Sequence, residues 1–105
     1  MKHLTLFAES RGTGLRFKDE LDDLEPTLLG LSRNIATKLR AWQDDYKHYD
    51  QLGADAWKAE LPFIAQHEAH GIDLANEIQK ELGDAFRVSF FSQIKEVRID
   101  IAASE

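Results

Sequence analysis

Ile35, Leu39, Trp42, Tyr46 and Tyr49 recur at spacings of 4, 3, 4 and 3 residues, and no other pattern limits the fold of this chain as tightly. Such spacings put all five side chains on one face of a helix with 3.6 residues per turn. A helix of this length holds in water chiefly by burying that face. Ser32 is a good N-cap and Gly53 a good stop. Arg33, Thr37, Arg40, Asp44, Lys47 and His48 make the opposite face polar.

A second helix follows the segment ADAWKAEL (54–61), which reads as a short helix or turn. Pro62 suits a first helical turn. Phe63, Ile64, Leu74, Ile78 and Leu82 cluster on one side, and Gly83 ends the run. His67 and Gly71 fall near the middle of that apolar side. A glycine inside a helix costs about 1 kcal/mol relative to alanine. The position therefore predicts close approach of a bulky neighbour, Trp42 or Trp57.

Elsewhere the period is two. Leu4, Leu6 and Ala8 alternate with His3, Thr5 and Phe7, and after the turn SRGTG the segment Leu15–Phe17 can return as an antiparallel partner. Phe86, Val88 and Phe90 alternate with Arg87, Ser89 and Phe91, SQIK turns the chain, and Val97, Ile99 and Ile101 alternate with Arg98 and Asp100. The order ββ–αα–ββ predicts an α+β fold, a two-layer sandwich with two long helices on one face of an antiparallel or mixed sheet. At 105 residues this is a single domain, 1–105.

Composition removes several chemistries. There is no cysteine, so disulfides, thiolate catalysis and cysteine-based metal sites are excluded. No apolar run approaches ~18 residues and the N-terminus lacks a signal-peptide core, which predicts a soluble cytoplasmic protein without membrane attachment. The motif RGTG lacks the spacing of a phosphate-binding loop, and no serine stands in a nucleophile motif. His67 and His70 could share a metal with Glu68 or Asp73, but zincin and di-iron spacings are missing. An interior, hydrogen-bonded His67 is the better expectation, with no metal, cofactor or catalytic residue.

The formal charge of −6 is unevenly distributed. Residues 1–18 carry four basic groups and one acid, whereas residues 19–85 carry six basic groups and fifteen acids. Asp19, Glu20, Asp22, Asp23 and Glu25 form one acidic run without calcium-loop spacing. Asp44, Asp45 and Asp50 form a second set on the first long helix. Clustered charge of one sign speeds encounter with an oppositely charged protein.

The outer side of the sheet presents Phe7, Arg16, Arg87, Phe91 and Arg98, aromatic and arginine side chains of the kind enriched at binding hot spots. A dimer mate, another segment of this chain or a different partner could cover it. Acidic net charge and the absence of an RNP sequence argue against nucleic acid.

The stretches ESRGTGLR, LSRNIATKLRAWQDDY and GIDLANEIQKELGDAFRVSFF carry an ES-x-G-x-GL start, a Leu-Arg-x-Trp helix and a G-x-x-LA-x-x-I-Q-x-ELG helix leading into a strand. In these the chain resembles a family of small uncharacterised bacterial α+β proteins. In size and acidity it is similar in type to bacterial immunity proteins, which cover a toxin's active site. That likeness implies a non-enzymatic protein-binding module that neutralises a basic toxin through the two acidic sets. The alternative is a small-ligand-binding, nucleic-acid-binding or enzymatic domain using the outer sheet face or a pocket near His67.

Overall fold

The computed structural model describes residues 2–9, 12–18, 20 and 22–101. Strands β1 (Lys2–Leu6) and β2 (Leu15–Phe17) precede a 3-10 turn at Pro26–Leu29. Three helices follow: α1 (Arg33–Asp50), α2 (Ala54–Ala59) and α3 (Leu61–Leu82). After a second 3-10 turn at Gly83–Ala85 come β3 (Phe86–Ser92) and β4 (Val97–Asp100). The fold is α+β with a mixed sheet in the order β2-β1-β3-β4.

The two hairpins are antiparallel, and β1 and β3 join them as a parallel pair with Leu4 opposite Val88 and Leu6 opposite Phe90. A parallel pair needs a long crossover, and the helices between β2 and β3 provide it. The short edge strands bear Arg16 on one side and Arg98 and Asp100 on the other, charges that discourage further strand pairing.

Leu4, Leu6, Leu15, Val88, Phe90 and Ile101 from the sheet side meet Ile35, Leu39 and Trp42 of α1 and Leu74, Ala75 and Ile78 of α3 in one core. Ser32 caps α1 as expected, its hydroxyl accepting from the Ile35 amide at 3.2 Å. The helix ends at Asp50, short of Gly53, which instead serves as N-cap of α2. Ser32–Glu81, Lys38–Glu77 and Trp42–His67 contacts run in opposite sequence order, so α1 and α3 are antiparallel.

Gly71 sits where the expectation put a close approach. A Cβ built there would lie 2.5 Å from Trp42 Cζ2 and 2.5 Å from Phe90 Cε1. Trp42 is thus the bulky neighbour, Trp57 is not among the nearest atoms, and Phe90 from β3 joins it.

Phe63 departs from the expected apolar side of α3 and is 58% exposed. The buried stripe is Ile64, His67, Gly71, Leu74, Ala75 and Ile78. At about 100° per residue its centre lies roughly 70° from Phe63, which leaves that ring at the margin.

Candidate protein-binding surface

Part of the first acidic run is drawn into the fold. Asp23 Oδ1 accepts from Arg16 Nε at 2.6 Å, and Glu9 Oε2 lies 3.3 Å from Arg16 Nη2. Both carboxylates also accept from the Gly14 amide at 3.1 Å. The Arg16 guanidinium lies 4.7 Å from the centre of the Phe7 ring. Arg16 therefore ties the first hairpin to the 18–25 segment. Glu20, Asp22 and Glu25 stay exposed, and Asp19 lies outside the described residues.

Gln43, a buried residue of α1, completes this region. Its amide nitrogen donates to the Phe7 and Thr13 carbonyls at 2.9 Å, and its oxygen accepts from the Glu9 amide at 2.9 Å. Gly14, at φ +75°, is close enough that a Cβ would strike both Gln43 and the Phe7 carbonyl. The glycine spacing of ES-x-G-x-GL thus serves hairpin geometry rather than phosphate binding.

The second acidic set lies on the solvent side of α1. Asp44, Asp45 and Asp50 are all exposed. Asp44 makes a 3.0 Å surface pair with Lys47, a contact worth little in water. Asp45 makes no ion pair with any described residue, and Asp50 is close enough to the Tyr46 hydroxyl to help raise its pKa, behind burial as the larger cause.

His67 joins the two long helices. Its ring stacks on Trp42 at 4.5 Å with the planes 3° apart, and its Nε2 donates to the Trp42 carbonyl at 2.8 Å. Trp42 Nε1 returns a 2.8 Å bond to the His67 carbonyl. Burial holds the His67 pKa below its ordinary value, outweighing the Trp42 carbonyl and the nearby Asp45 and Glu68, which act in the opposite sense. His67 is interior and hydrogen-bonded, as the helical position predicts.

Glu68 is turned to structural use. Its carboxylate accepts from Ser92 Oγ at 2.6 Å and from the Gln93 and Ile94 amides at 2.8 and 3.2 Å, capping the β3–β4 turn. No group of three or more His, Cys, Asp or Glu among the described residues is placed to hold a metal. No helix among them is long and apolar enough to cross a membrane.

A family model described as Serratia CdiI immunity protein-like matches residues 2–93. The chain belongs to that family. No curated protein matches it. CdiI-like immunity proteins are generally non-enzymatic, and the family implies a protein toxin as partner. The match takes in the first hairpin, all three helices and β3, so every acid in both sets falls inside it.

On this CdiI-like chain the outer sheet face keeps the residues expected of it. Thr5 and Ser89 share a 3.1 Å hydrogen bond at its centre, and Arg87 lies 3.5 Å from Asp100. Phe7, Arg16, Phe91 and Arg98 line a shallow hollow with Lys18 and Glu20. Phe91 is 37% exposed, while the Arg16 guanidinium rests on Phe7.

Gln43, Glu9 and Glu68 are the polar residues that sequence reasoning missed or misassigned. Gln43 lies about 80° from the centre of the α1 stripe, a boundary position with no signal of its own. The available clue is indirect: a glycine loop against a helix leaves backbone groups that require partners.

Proposed function

We propose that this chain is a toxin-neutralising immunity protein that acts in the cytoplasm and grips a basic toxin domain through exposed acids. In this reading α1 and α3 form a layer over one side of the sheet, and their outer side is left to the partner. The acids assigned to binding are Glu20, Asp22, Glu25, Asp44, Asp45 and Asp50, with Asp19 retained from the sequence and Asp23 contributing less because Arg16 neutralises it.

The observation that carries this reading is that Glu20, Asp22, Glu25 and Asp45 are exposed and make no ion pair with any described residue. Their charge is not consumed by the fold, and a nuclease toxin must be basic where it grips phosphate. Family membership supports the protein toxin, and the acids support its charge.

A toxin-like reading frame beside this gene is the partner to test. Co-expression should restore growth to cells making that toxin domain, and no rescue would remove the proposal. The association rate should fall about ten-fold or more between 0.01 and 0.15 M salt, as the screening length shortens from ~30 to ~8 Å. A rate indifferent to salt would leave the acids without a role in recognition.

A further inference from the structure

We infer that the cleft between α1 and α3 receives a basic side chain of the partner, an arginine or lysine, between Asp44 and Asp45 and at the edge of the His67 imidazole. The inference rests on the immunity reading for the partner's identity and assigns its contact point.

The distribution of charge separates this cleft from the other concavities. It has a volume of about 440 Å³ and is lined by Asp44, Asp45, Tyr49, Phe63, His67 and His70, among others, with no lysine or arginine among the described residues. Asp45 and His70 also border an adjoining cleft that adds Asp73 and Glu77. Lys38, the one lysine or arginine among its described lining residues, is held on Glu77 at 2.8 Å. By contrast, the hollow at the other flank of α1 balances Glu25 and Asp44 with Arg40 and Lys47. The outer sheet hollow sets Arg16, Lys18 and Arg98 against Glu20. Asp45 therefore has no described ion-pair partner on this seam, while Asp44 at its edge shares its charge with Lys47.

The second observation is the state of His67. A carbonyl oxygen only accepts, so the Trp42 contact requires the proton on Nε2 and leaves a lone pair on Nδ1. His67 is only 7% exposed, and no described residue bonds its Nδ1. Among the described residues no buried side-chain nitrogen or oxygen is left without a partner, so Nδ1 is not enclosed, and the cleft that His67 lines gives it a route to solvent. An acceptor in an acidic cleft calls for a donor with positive charge. Guanidinium and ammonium groups meet both requirements, and neither accepts hydrogen bonds that the carboxylates would contest.

The rim supplies the third element. Phe63 is 58% exposed beside half-buried Tyr49. An aromatic surface at the mouth suits the aliphatic stem of a long basic side chain, or the flat face of a guanidinium.

The test uses the full chain and the peptide acetyl-tetraarginine-amide, followed by amide and imidazole nitrogen NMR at low salt. Expected are saturable shifts at Asp44, Asp45, Gln66, His67 and His70, and a change at His67 Nδ1 as its lone pair becomes a hydrogen-bond acceptor. The exposed double variant D44N/D45N should weaken binding about ten-fold or more, and F63A several-fold, with the double variant D55N/D84N, exposed acids away from the cleft, close to wild type. Shifts centred on residues 20–25, an unmoved His67 Nδ1, or wild-type binding by D44N/D45N would overturn the assignment.

Growth rescue with D44N/D45N and with the acidic-loop triple variant E20Q/D22N/E25Q separates the two claims. If wild-type protein fails to rescue, the immunity reading falls, and the peptide result still decides the cleft. If D44N/D45N rescues fully while the acidic-loop triple variant does not, the cleft falls and the immunity reading stands.

Discussion

Replacing Gly71 by alanine sets two effects of opposite sign against each other. Alanine favours a helix interior over glycine by about 1 kcal/mol. Its methyl carbon, however, would sit 2.5 Å from Trp42 Cζ2, 2.5 Å from Phe90 Cε1 and 3.0 Å from Phe90 Cζ, where ordinary contact is 3.4–4 Å. Two rings must each retreat by about 1 Å, and neither is free to do so. Trp42 is held by its indole bond to the His67 carbonyl and by the stack on that imidazole. Phe90 is fully buried on a central strand, with its ring edge-on to Trp42.

Overpacking of this kind costs about 1–3 kcal/mol and can exceed that when the neighbours are rigid. The packing cost wins, and Gly71→Ala should lose about 1–2 kcal/mol overall. For a domain of this size that lowers the melting temperature by roughly 5–15 °C. Urea unfolding should show a reduced midpoint with an unchanged slope. Phe90→Leu shortens one offending ring, so G71A/F90L should be more stable than the two single losses predict, by about 1 kcal/mol. A Gly71→Ala protein as stable as wild type, or more so, would refute the close approach and with it the seating of α3 on β3.

The buried histidine makes a pH prediction. The native His67 pKa lies below the unfolded value of 6.5, so the unfolded chain binds the extra proton first. Stability should be unaffected by this group above that value, fall as the pH drops through it, and level off below the native pKa; His67→Phe should flatten that portion of the curve measured by urea melts. Phe91→Asp, on the outer side of β3, should leave the circular dichroism spectrum and unfolding cooperativity intact while dissolving any dimer seen by analytical ultracentrifugation. Loss of the fold instead would show that Phe91 belongs to the core.

Much of the architecture could be read from period alone. A 4-3-4-3 stripe has few ways to be stable, and α1 buries Ile35, Leu39, Trp42 and Tyr46 accordingly. Alternation likewise separated Val88 and Phe90 from Arg87 and Phe91. The parallel pairing of β1 with β3 left no such trace. Period two is the same for either strand direction, and only the crossover through three helices decides it. Phe63 is exposed because its angle on α3, not its apolar identity, decides its burial, and Gly53 opens α2 although glycine more often closes a helix.

The binding surface was less legible for a different reason. Sequence reports how many charges a segment carries, and folding determines how many of them are already neutralised. Asp23 and Asp22 are adjacent and chemically identical, yet one lies on Arg16 and Gly14 while the other meets water. On α1, Asp44 and Asp45 are also adjacent, and only Asp44 has a lysine one turn away to pair with. What gives Asp45 its interest is a residue 22 positions further on, His67, placed beside it by the antiparallel packing of α1 against α3. A cation bound there would meet a carboxylate from one helix and an imidazole lone pair from the other. Its affinity would then depend on the seam between the helices as well as on net charge, so a substitution that shifts α3 without touching an acid, such as Gly71→Ala, should weaken peptide binding alongside stability.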